Sequence, residues 1–167
     1  MNKFVKLSDR LSETMANISA GILGLMTLLI LVEIGLWNLF EKTTLIADEY
    51  SAYGLAAIIF LGAGYCLKEK GHIRITLVLG FLPGKVERAI VFVATSVTTI
   101  FMGYLWWYLL KMVMSAFRYG STSGTLTNTP LWIPQALMLV GAACFFLQLF
   151  ATSVRTFAAL HTKERVL

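Results

Sequence analysis

MANISAGILGLMTLLILVEIGLWN, residues 15–38, runs for twenty-four residues with a single formal charge, Glu33. The hydrocarbon core of a bilayer is ~30 Å thick, and a helix needs ~20 mostly apolar residues to cross it. This stretch therefore reads as a membrane span. Three more follow at about Tyr50–Leu67, Ala89–Met114 and Leu131–Val154. All four must be helical, because backbone groups left unpaired in lipid cost several kcal/mol each. They are too long and continuous for the ~10-residue alternating strands of a membrane barrel. The predicted fold class is an all-α membrane protein, with one four-helix transmembrane domain filling residues 1–167.

Composition agrees. The mean hydropathy is +0.75, and charged residues make up 14% of the chain, well below the ~25% of soluble proteins. Four spans with their loops leave no room for a soluble domain of useful size. The charge is also unevenly placed. Lys3, Lys6 and Arg10 precede the first span; Lys68, Lys70, Arg74, Lys85 and Arg88 lie between the second and third; Arg155, Lys163 and Arg165 follow the fourth. Those are eleven of the 14 lysines and arginines, and only Lys42, Lys111 and Arg118 remain for the other two loop regions. The positive-inside rule then predicts both termini and the middle loop on the cytoplasmic side. The net charge of +5 reads as topology and contact with anionic lipid and not as nucleic-acid binding, since no basic face is interleaved with exposed aromatics. The first apolar run far exceeds the 7–15 residues of a signal-peptide core, so it is expected to stay as a span.

Catalytic constellations are missing. His72 and His161 both fall outside the spans, and no HExxH, GxSxG, P-loop or CxxC occurs, which speaks against an enzyme or a haem anchor. Cys66 and Cys144 sit inside spans, at depths that differ by roughly 10 Å when counted from the span ends. They are read as packing residues. Glu33 is the clear intramembrane ionisable group and is shallow, and Lys111 lies near the outer end of its own span; the expectation is a structural Glu33–Lys111 pair or a Glu33 carboxylate reaching the interface. No span carries the central break that marks an ion site in inverted-repeat transporters. Small residues recur every four positions at Ala16, Ala20 and Gly24 and at Ala52 and Ala56, with Gly62 and Gly64 beyond. Such patterns let helices approach closely.

The loops carry the sharper pattern. Asp48-Glu49 opens the second helix, where carboxylates favour the positive helix end. Gly71-His72-Ile73-Arg74 follows that helix and runs into Leu77-Val78-Leu79-Gly80-Phe81-Leu82-Pro83, too short to span and expected along the interface. Thr129-Pro130-Leu131-Trp132-Ile133-Pro134-Gln135 enters the fourth span, with Thr129 as the expected N-cap and Pro130 at the first helical position. Trp132 suits the outer interface.

In order and spacing these segments resemble the small membrane subunit (the DctQ-like small permease) of tripartite ATP-independent periplasmic (TRAP) transporters, over nearly the whole chain. The resemblance implies a bacterial inner-membrane complex. A large transmembrane subunit carries the sodium and substrate sites, so sodium is expected there and no cofactor in this chain. A periplasmic binding protein captures the solute, an organic anion such as sialic acid or a C4-dicarboxylate. The small subunit is expected to be a non-catalytic scaffold, with Asp48, Glu49, His72, Arg74 and Trp132 as candidate contacts to partners or lipid. The competing reading is a stand-alone, homo-oligomeric channel or exporter, which needs a polar stripe along a span.

Overall fold

The computed structural model describes residues 2–69 and 84–161. They form four helices: α1 (Asn2–Phe40), α2 (Ala47–Lys68), α3 (Gly84–Tyr119) and α4 (Trp132–His161). All four contain segments long and apolar enough to cross a membrane. The predicted interfacial segment 77–83, with His72 and Arg74, lies outside the described residues.

The helices outrun the apolar windows. At ~1.5 Å per residue α1 is ~58 Å long and α3 ~54 Å, against spans predicted from Met15 and from Ala89. Hydropathy marks where lipid is, whereas the helix continues through Lys6, Arg10 and Glu13, which are good helix formers at exposed positions. The ends are set by backbone geometry. Glu41 adopts a left-handed φ of 49° after Phe40, and its N–H donates to the Trp37 carbonyl at 3.0 Å. Gly120, at φ 61°, closes α3, with its N–H on the Phe117 carbonyl and the Ser121 N–H on that of Ala116. That pair of bonds is a Schellman cap, whose left-handed position favours glycine.

Consecutive helices run antiparallel, so the start of α1 and the end of α4 share one end of the bundle, the terminal end. The loops 41–46 and 120–131 share the other, the loop end. α4 is central: it packs on α2 and α3 and, over a shorter length, on α1, while α1 packs mainly on α2. Leu67, Met102, Ala142 and Leu149 form the buried cluster, flanked by Phe60, Leu105, Trp106 and Phe146.

In lipid, helices gain little from burying apolar surface against each other, so close backbone approach and interhelical hydrogen bonds hold them. Among the described glycines the closest backbone-to-backbone approach is at Gly141. A Cβ there would stand 2.6 Å from the Phe60 carbonyl carbon and 2.8 Å from the Leu61 nitrogen. Gly64 and Gly62 face Ser12 and Ser19 of α1 in ordinary or slightly tight contact. The Ala16–Ala20–Gly24 repeat contributes less than its spacing predicts: a Cβ on Gly24 would meet nothing within 4 Å, and Ala20 and Ala52 are exposed. Cys66 and Cys144 are both free, though depth is not what separates them. The Cys144 backbone faces Gly64, two residues from Cys66, but Cys144 is buried and Cys66 exposed.

Candidate functional site

Polar side chains gather at the two ends of the bundle. At the terminal end Gln148 is fully buried. Its Oε1 accepts from the Ser8 hydroxyl at 2.5 Å and from the Ser12 hydroxyl at 3.3 Å, and its Nε2 donates to Asp9 Oδ1 at 3.0 Å. Arg155 Nη2 holds the other Asp9 oxygen at 2.6 Å. A buried amide costs free energy unless hydrogen-bonded, so this set fastens the first turns of α1 to α4. Residue spacing gave no sign of it, since Ser8 and Gln148 are far apart in sequence and look unremarkable alone. Nearby, Lys68 Nζ bridges Glu13 at 2.5 Å and Glu69 at 3.4 Å beside a cavity of about 620 Å³.

At the loop end Glu49 is the organising carboxylate. It accepts from the hydroxyls of Thr125 and Thr127, and from Tyr53 at 2.8 Å. The threonine-rich loop is further pinned by the Ser123 N–H on the Thr129 carbonyl and the Leu131 N–H on Ser121, 2.9 and 3.0 Å. Thr129 is buried and does not cap α4, which begins at Trp132. Its N–H donates to Ser123 Oγ and its hydroxyl reaches Tyr50, so the tertiary clip has displaced the local N-cap. Beneath it a cavity of about 380 Å³ opens between α1, α2 and α4, lined by Met26, Tyr53, Gly54 and Ile133 among others.

The expected Glu33–Lys111 pair does not form. Glu33 folds onto the α1–α2 loop, accepting from the Thr43 hydroxyl, the Thr44 N–H at 2.9 Å and the Thr44 hydroxyl at 2.5 Å. The threonines come from the loop that Glu33 itself precedes, so the local contact wins over the distant lysine. Lys111 instead lies 5.5 Å from the ring centroids of both Trp107 and Tyr108. Of the candidate contacts, Glu49 is engaged within the chain, while Asp48 stays exposed in the first turn of α2. Trp132 packs edge-on against Phe117 with centroids 5.7 Å apart.

Four apolar helices, joined at their ends by polar clips, fit a membrane bundle whose chemistry is assembly. The sequence model of the DctQ component of tripartite ATP-independent periplasmic transporters matches residues 26–159, from the middle of α1 almost to the end of α4. The chain belongs to this family. No curated protein and no solved structure gave a match. As a DctQ component it is a multi-pass membrane part of a transporter and not an enzyme, and membership implies a three-component system. The matched region contains the loop-end clip and the Gln148 side of the terminal one. Ser8, Ser12 and Asp9 lie before it.

Proposed function

We propose that this DctQ component is the non-catalytic scaffold of a sodium-driven importer of an organic anion, in a bacterial inner membrane. A large membrane subunit carries the sodium and solute sites, and a periplasmic binding protein delivers a carboxylate such as sialic acid or a C4-dicarboxylate. The observation that carries this reading is the use made of three carboxylates and one buried amide of the helices. Glu33, Glu49, Asp9 and Gln148 are each engaged in bonds that fasten one part of this chain to another. Groups so engaged stiffen a bundle; they do not line a path for a solute. Orientation follows from charge. Lys6, Arg10, Lys68 and Arg155 cluster at the terminal end, which supports a cytoplasmic placement of both termini.

Affinity purification of the tagged chain from its native membrane, with Cys66 and Cys144 replaced by Ala, tests both parts. A large polytopic partner should co-purify. A membrane-impermeant maleimide applied to intact spheroplasts should label Lys42→Cys and spare Lys6→Cys. A lone homo-oligomer, with no large partner, would overturn the scaffold reading in favour of a stand-alone channel.

A further inference from the structure

The outward face of α3 differs in kind from that of α1. Leu25, Leu28, Leu31 and Val32 leave α1 with an exposed, aliphatic surface suited to acyl chains. On α3 the residues Tyr104, Tyr108, Lys111, Ser115 and Arg118 recur every three or four positions, which places them on one helix face. All five are exposed.

Depth makes this stripe informative. α3 is registered against α4 by the Phe117–Trp132 ring contact, the approach of Phe146 to Gly103, and the Ser96–Ser153 hydroxyls at 3.4 Å. Trp132 suits the aromatic belt at the membrane surface. Lys111 lies six residues inward of Phe117, ~9 Å deeper, and Tyr104 thirteen residues inward, ~20 Å deeper. A lysine near a helix end extends toward the interface when it faces lipid. Here the ammonium lies back over Trp107 and Tyr108, over the preceding turn and away from the loop end. The Tyr104 hydroxyl donates to that of Tyr108 at 3.1 Å, and both face outward. Among the described residues neither Lys111 nor Arg118 has a carboxylate partner. A cation and a phenol pair at this depth are costly against hydrocarbon, and headgroup phosphates stay at the surface.

The geometry points to the Tyr104–Tyr108–Lys111 face of α3 as the docking surface for a membrane helix of the large subunit, one that brings a carboxylate to Lys111. An open groove between side chains of α3 itself, bounded by Lys111, Ser115, Phe117 and Arg118, adjoins this face and receives side chains of the partner's helix. This rests on the scaffold reading above, which supplies the partner; the stripe supplies the face and the charge.

Photo-crosslinking in the co-expressed complex tests it. p-Benzoylphenylalanine at Tyr104 or Tyr108 should give an adduct with the large subunit, whereas the same group at Leu28 or Leu31 of α1 should give none. Lys111→Glu should reduce co-purification of the large subunit by at least about tenfold, since it sets two like charges in an apolar interface. Lys111→Arg should retain it. Monodisperse elution of each variant expressed alone shows that the bundle itself is intact. Adducts at α1 and none at α3, with the large subunit still bound, overturn the assigned face and leave the scaffold reading standing. Unchanged co-purification in Lys111→Glu, with loss of a bound anionic lipid in native mass spectrometry, overturns it in favour of a headgroup. Failure of the wild-type chain to bring down any large subunit overturns the scaffold reading itself.

Discussion

Replacing Gly141 by alanine should separate α2 from α4. The added Cβ would stand 2.6 Å from the Phe60 carbonyl carbon and 2.8 Å from the Leu61 nitrogen, whereas carbon atoms rest in contact at ~3.5–4.0 Å. The obstructing atoms are backbone, so no side chain can rotate away, and the helices must part by about 1 Å. Overpacking typically costs about 1–3 kcal/mol, with a rigid obstacle at the upper end. Alanine returns about 1 kcal/mol of helix propensity over glycine. The net loss is then about 2 kcal/mol, and at ~2–4 °C per kcal/mol for a chain of this size the unfolding midpoint falls by about 4–8 °C. Gly24→Ala is the internal control, since its Cβ would meet nothing within 4 Å. It gains the propensity alone and should hold or raise the midpoint. Tryptophan fluorescence of the detergent-solubilised chain during heating reads both. Equal midpoints for the two variants would refute close α2–α4 approach as the source of stability.

Other perturbations act at the clips. Gln148→Leu removes the acceptor of Ser8 and Ser12 and the donor to Asp9, at roughly 0.6 kcal/mol for each interhelical bond; hydrogen exchange should rise in the first turns of α1 while the centre of α4 stays protected, and uniform protection would count against the clip. Glu49→Ala should speed exchange across residues 121–129, whereas Asp48→Lys, which leaves that clip whole, should weaken uptake most at limiting binding protein and be relieved by excess. A loss of uptake in Asp48→Lys that is equal at all concentrations would point away from docking. Arg74→Glu should lower complex assembly or uptake while topology mapping stays unchanged, and wild-type assembly and uptake would mark Arg74 as a merely solvated charge.

Much of the architecture was legible because lipid imposes a simple rule. Residues 15–38 and the three later runs had to be helices of about the observed number and order, and the family match over residues 26–159 spans the stretch from Asp48-Glu49 to Thr129–Gln135. Helix ends were less legible, because Asn2–Glu13 is polar yet still helical. The polar contacts were least legible. Glu33 and Lys111 attract by charge, but Thr43 and Thr44 sit in the loop next to Glu33 and meet it first. Gln148 looked like one scattered polar residue, and only the α1–α4 register shows Ser8, Ser12 and Asp9 converging on it. Thr129 fits the local N-cap rule, but its buried hydroxyl serves Tyr50 across the bundle.

Reconstitution into proteoliposomes tests the central claim most directly. With an inward sodium gradient and the radiolabelled solute of the cognate binding protein, this chain alone should accumulate nothing. Addition of the large subunit and loaded binding protein should start uptake, and omission of this chain should abolish it. Sodium-driven accumulation by this chain alone would contradict the account, as would full uptake by the other two components without it.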